Sequence, residues 1–60
     1  MSDYRAHLIG PEGHFQSSET VMALDDERAV AIARKFVKGG NVEVWHLARK
    51  VATLTPEGVR

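Results

Sequence analysis

The chain contains no cysteine, which removes disulfide bonds and thiolate metal sites. It has no apolar run near the roughly 18 residues of a membrane span. Its opening residues, MSDYRAHL, lack the basic start and the apolar run of about 7–15 residues that a secretory signal needs. It has no excess of charge either, because eight basic and eight acidic residues cancel. Nucleic-acid binders draw much of their affinity from neutralising phosphates, so a neutral chain makes nucleic acid an unlikely main partner. There is no internal repeat, linker or low-complexity stretch. Together these absences predict a soluble cytoplasmic protein with no membrane association.

What remains is one domain, residues 1–60. A composition that is 43% hydrophobic is globular rather than disordered. A chain this short buries only about 60% of its unfolded surface. At this size, extra support comes from disulfides, a metal or a partner subunit. With cysteine absent, the choices narrow to a good core, a histidine/carboxylate metal site, or oligomerisation.

The segment YRAHLI (4–9) alternates, with Tyr4, Ala6 and Leu8 on one side and Arg5, His7 and Ile9 on the other. That is the pattern of a half-buried strand. GPEG (10–13) reads as a turn, with Pro11 presetting φ and Gly13 free to take a positive φ. HFQSSETVMA (14–23) is the returning strand. Its polar SSET centre marks an edge strand or a bulge, with Glu19 discouraging further pairing. DDERAVAIARKFVKGG (25–40) reads as a helix. Asp25 or Asp26 caps its start, and Arg34, Lys35 and Lys38 suit the negative end of its dipole. Ala29, Ile32, Ala33, Phe36 and Val37 form its buried stripe, widened by Val30. Gly39 and Gly40 supply a left-handed cap. NVEVWHL (41–47) and KVATL (50–54) form a hairpin that turns within His46–Arg49. That turn has no glycine or asparagine to fix its register. Pro56 ends the last strand, and residues 55–60 read as a frayed tail.

The predicted fold is therefore α+β, in the order β-β-α-β-β. A four-stranded antiparallel sheet of order 2-1-3-4 carries the helix on one face, which puts the polar second strand at an edge. The other face has nothing from this chain to cover it. With Tyr4, Ala6, Leu8 and Phe15 toward the helix, Arg5, His7, Ile9, His14, Gln16 and Met22 lie on the open side. In the second hairpin either Val42 and Val44, or Glu43, Trp45 and Leu47, must point outward; the pattern leaves both choices open. Large apolar side chains on an uncovered face mark an interface. Ile9, Met22, Trp45 and Leu47 are its candidates, and a homodimer formed by face packing or edge pairing is expected.

The histidines raise a chemical alternative. A four-residue turn pairs Ile9 with His14 and sets His7 and His14 diagonally on one face, about 7–8 Å apart. Two imidazoles so placed make His7 and His14 weak candidates for one zinc or nickel ion. His46, Glu12 and Glu43 are the nearest further donors, but no known metal motif has this spacing. As surface groups, the histidines would change charge near neutral pH and so tune that face. Ser17 and Ser18 beside histidines lack a strand-to-helix elbow and an orienting acid. A single-layer sheet of this size also has little volume for a pocket of about 300 Å³. KGGN (38–41) closes a helix rather than opening one, so it does not attract phosphate. Arg28, Arg34, Lys35 and Lys38 read as a solvated helix face, with Arg49 and Lys50 adding charge at the second hairpin. Neither catalytic residues nor a cofactor are expected.

The motifs YRAHLIGPEGHF, DDERAVAIARKFV and VEVWHLARKVATL resemble a family of very short bacterial proteins, found mostly in alphaproteobacteria, with no established activity. The resemblance spans nearly the whole chain and implies the fold, while assigning no site residue. In that family glycine often stands where this chain has Leu47. A fainter likeness links the hairpin and the DDERA helix start to small antitoxin-type domains. The leading expectation is a non-catalytic protein-binding or accessory module acting as a homodimer. The second is an antitoxin-like regulatory domain that touches nucleic acid or a toxin, and the third is the histidine metal site.

Overall fold

A computed structural model describes residues 1–10 and 12–59; Pro11 and Arg60 lie outside the described residues, and with Pro11 the expectation placed on its φ. The elements are β1 (Ser2–Ile9), β2 (Phe15–Ala23), α1 (Asp26–Ala33), a 3-10 turn (Arg34–Phe36), β3 (Asn41–His46), β4 (Arg49–Thr55) and β5 (Gly58–Val59). The sheet order is β2-β1-β3-β4-β5, and every neighbouring pair is antiparallel. The expected α+β fold and its 2-1-3-4 order are present, with a fifth short strand added at the edge.

The alternation in YRAHLI sets the core. Tyr4 and Ala6 are buried beneath the helix, joined by Val21 and Ala23 from β2, Val42 and Val44 from β3, and Leu54 from β4. From α1 only Ala29 and Ala33 are fully buried. With Ala6, they are small enough to let the helix backbone settle close to the sheet. Val30, Phe36 and Val37 pack around them, and Leu8, Val51 and Ala52 extend the cluster. Ile32, expected in the stripe, is left exposed.

The helix is shorter than the apolar spacing predicts. Asp25 caps it, its side chain accepting the Arg28 backbone N–H at 2.9 Å. It tightens into the 3-10 turn after Ala33, and Val37 is extended (φ −75°, ψ 116°). Gly39 therefore takes its positive φ of 89° in the link to β3, not as a cap on α1. This link runs hard against β1. A Cβ placed on Gly40 would lie 2.1 Å from the Ile9 carbonyl oxygen, so no side chain fits there.

The first hairpin corrects the expected register. Ile9 pairs with Phe15, not His14, and a bulge between Leu8 and Ile9 shifts the ladder so that His7 faces Ser18. The loop is closed by Gly10 N–H donating to the His14 carbonyl at 2.8 Å and Gly13 N–H donating to the Gly10 carbonyl at 2.9 Å. Gly13 has φ 87°, a conformation that costs an L side chain about 1–2 kcal/mol. Because a one-residue slip turns every later side chain of a strand to the other face, Phe15 leaves the helix side and meets the His7 ring edge-on.

The carboxyl-terminal segment also differs from expectation. The Thr55 hydroxyl accepts the backbone N–H groups of Glu57 and Gly58 and donates to the Gly58 carbonyl. That local turn returns the chain so that Thr55 pairs with Gly58 and Leu54 with Val59. Residues 55–59 are thus tied to the sheet rather than frayed.

The β3–β4 hairpin turns on Leu47 and Ala48, flanked by the His46–Arg49 pair. Leu47 has φ 57° and is 84% exposed. Its side chain makes no compensating burial for a left-handed backbone. Replacing Leu47 with Gly should therefore raise the unfolding free energy by about 1 kcal/mol. Gly40→Ala should lower it by more than about 1 kcal/mol, since backbone must move. Urea unfolding followed by Trp45 fluorescence reads both, and a neutral Leu47→Gly would show that the left-handed turn carries no strain.

Candidate interaction surface

Two side-chain clusters stand out, one on each side of the sheet. On the helix side, Asp26 sits in the first turn of α1 and receives three hydrogen bonds. The buried Tyr4 hydroxyl donates to Oδ1 at 2.8 Å. Arg49 donates from Nη1 to Oδ2 at 3.1 Å and from Nη2 to Oδ1 at 3.2 Å. This forked pairing is the strong arrangement for arginine and carboxylate. The His46 ring lies 4.6 Å from the Tyr4 ring, so it too belongs to the helix side. Hydrogen bonds from Arg49 and then Tyr4 hold the Asp26 carboxyl below the usual aspartate range. The same bond to Asp26 pushes the Tyr4 hydroxyl up. The cluster ties β1, α1 and the β3–β4 hairpin together, and its polar groups are paired with one another. It reads as a latch.

The open face is different. Here β1 presents Arg5 and His7 and, by strand alternation, Ile9. β2 presents Met22 and Phe15, while β3 presents Glu43 and Trp45 and β4 presents Lys50. His7 is central, with Phe15 edge-on at 5.6 Å on one side and Trp45 stacked at 6.1 Å and 27° on the other. Lys50 Nζ lies 6.0 Å from the Trp45 ring centre and 3.7 Å from Glu43 Oε2. The Trp45 indole N–H donates to Glu43 Oε1 at 3.3 Å. A continuous row Phe15–His7–Trp45–Lys50 thus crosses four strands. Phe15 is 60% and Met22 48% exposed.

The register decides which alternative of the second hairpin holds. Ala6 pairs with Val44 and Leu8 with Val42, so both valines turn inward. Trp45, paired with Arg5, turns outward. Of the interface candidates, Ile9, Met22 and Trp45 fall on this face, whereas Leu47 lies at the hairpin tip. The expected sharing of a face by His7 and His14 is not found, because His14 is exposed in the loop outside β2. His46 is on the opposite side from His7. Among the described residues, no group of three or more His, Asp or Glu is placed to hold a metal ion. Glu43 lies directly across from His7, but its oxygens serve Trp45 and Lys50. Sequence periodicity named Trp45 and His7 separately; the β1–β3 register brings these two together, and the bulge in the first hairpin adds Phe15 on the other side of His7.

The expectation of little pocket volume also needs correcting. A cleft of about 380 Å³ opens between the end of the helix and the last turn, lined by Arg34, Val37, Leu54 and Thr55 to Gly58. It exists because β5 folds back. Its Thr55 hydroxyl is engaged by the turn backbone, and its titratable groups among the described residues are Arg34 and Glu57.

No protein-family model matches the chain, and no curated protein or solved structure shows significant similarity to it. No helix of the described residues is long and apolar enough to cross a membrane.

The latch makes stability depend on acid. Asp26 titrates lower when folded than when unfolded, so its contribution is present above the ordinary aspartate range. It is lost as pH falls through the folded value. Wild-type protein should lose stability in that acidic window, and Asp26→Asn should be less stable at neutral pH with a flatter acid profile. Urea midpoints measured across the acid range check this; parallel profiles would remove Asp26 as the cause.

Proposed function

We propose that this chain is a small non-catalytic binding module that acts as a homodimer and meets a protein partner through its open sheet face. The observation that carries the reading is the Phe15–His7–Trp45 row on a face that α1 does not cover. Aromatic side chains supply large contact area at low entropic cost and are enriched at the centres of protein interfaces. Ile9, paired with Phe15, borders the row, and Met22, paired with Asp3, adds apolar surface farther along the same face. The charges on the face are largely matched, with Lys50 paired to Glu43, which leaves ring surface rather than net charge for recognition. The reading of no catalysis draws support from the polar groups themselves, since those of the latch and of the last turn are already engaged with one another.

A second reading comes from Arg5 and Lys50. Cations beside stacked rings suit single-stranded nucleic acid, as an antitoxin-like regulatory role would require. Glu43 and Asp3 on the same face, and the zero net charge, weigh against it.

Capture with immobilised protein discriminates these readings. A Phe15→Ser/Trp45→Ser variant should lose a protein partner that wild type retains, while Leu24→Ser, changing an exposed residue elsewhere, should keep it. A partner unaffected by the double variant would overturn the reading. Binding of labelled single-stranded RNA at low salt, lost in Arg5→Ala/Lys50→Ala, would replace it with the second.

A further inference from the structure

We propose that two copies of this chain pair antiparallel along their β2 edges, with the two-fold axis at Ser18 or Thr20, to form one continuous ten-stranded sheet. This rests on the homodimer part of the reading above and specifies how the copies meet. The two sheet edges are unlike. β5, at one edge, is two residues long and comes after a tight turn, which blunts it. β2, at the other, is nine residues long and has no proline. Its outer side offers backbone N–H and C=O groups with no partner strand among the described residues, the standard template for adding a strand.

The side chains of β2 fit a second copy. Residues 15 to 20 are all exposed, those on the helix side included, because α1 reaches only the Val21–Ala23 end. Ser17, Ser18, Glu19 and Thr20 are therefore polar toward both faces. At the outer edge of one copy that stretch has no core to serve. Midway between two helices it would be solvated on both faces, where polar side chains belong, and Ser and Thr pair well across strands.

Glu19 selects the register. A two-fold axis perpendicular to the sheet keeps each residue opposite one from the same face, so the axis passes through a residue and its own copy. The bulge leaves β2 regular over residues 17–23, which overlap in full about Thr20, whereas an axis at Glu19 would put Glu19 opposite Glu19, and like charges directly opposed are destabilising. The neighbouring same-face registers lie at Ser18, where Ser17 meets Glu19, and at Thr20, where Glu19 meets Val21. Both keep the carboxylates diagonal to each other. In either, the helices share one side and the two aromatic rows share the other. The dimer then doubles the binding face instead of consuming it.

The absence of cysteine makes the test direct. A residue on the axis lies about 4.5–5.5 Å from its copy at Cα, within disulfide range. Ser18→Cys and Thr20→Cys change exposed positions, and under a glutathione redox buffer one of them should give disulfide-linked dimer at least about tenfold more than Glu57→Cys, on the opposite edge. Light scattering should show wild-type dimer, unaltered by Trp45→Ser on β3, away from the β2 edge. A wild-type protein that stays monomeric at all concentrations would overturn both this pairing and the homodimer. A dimer in which neither cysteine exceeds the Glu57→Cys level would overturn the β2 edge alone, and loss of dimer in the face variant would place the contact on the aromatic row instead.

Discussion

One helix of eight residues has to close one face of a five-stranded sheet, and the rest of the molecule is arranged around that shortfall. Eight residues span about 12 Å, against strands of up to nine residues. The helix meets the sheet through alanines, so it gains closeness where it lacks reach. Ala6, Ala29 and Ala33 are fully buried, and any larger side chain at these positions would lift the helix from Val42, Val44 and Leu54. What alanine contacts lack in area is made up at the ends. Asp26 fastens the amino end to Tyr4 and Arg49, while Phe36 and Val37 fold under at the other. A single carboxylate thus joins three segments distant in sequence, its oxygens taken by Tyr4 and Arg49 while the adjacent Asp25 does the capping.

The fold was largely legible because its main signals are local. Period-2 alternation in YRAHLI and the alternating valines of NVEVW define strands whatever surrounds them, and the polar centre of the second strand points to an edge. The parts that were not legible depend on counting. The face of Phe15 turns on one extra residue in a loop, and no side chain between His7 and Gln16 reports that extra residue in advance. The helix end was hidden for a related reason. Apolar and basic residues continue in helical spacing to Lys38, yet the chain must leave the helix early for Gly40 to pass beside Ile9. Tertiary distance overrode propensity there.

The candidate surface was half legible. Trp45, Met22 and Ile9 stood out as large apolar residues with nothing to cover them, and the register of β1 against β3 then fixed Trp45 outward. The histidines did not sort by sequence at all. Their positions beside a turn and beside a tryptophan suggested convergence, but the three occupy a sheet face, a loop and the helix side. Only His7 has aromatic neighbours on both flanks, and it owes them to the bulge on one side and to the β1–β3 register on the other.

The distribution of charge ties these observations to recognition. A face meant for phosphate keeps its cations unpaired, since affinity comes from releasing the counterions they displace. Here Lys50 is held by Glu43 and placed near the Trp45 ring, and Glu43 also accepts the indole N–H. Those contacts restrain the orientation of the Trp45 ring. A fixed ring loses less side-chain freedom on binding, which is where protein interfaces gain much of their affinity. Glu43 and Lys50 thus act on the tryptophan, while Arg5 and Asp3 remain exposed on the same face.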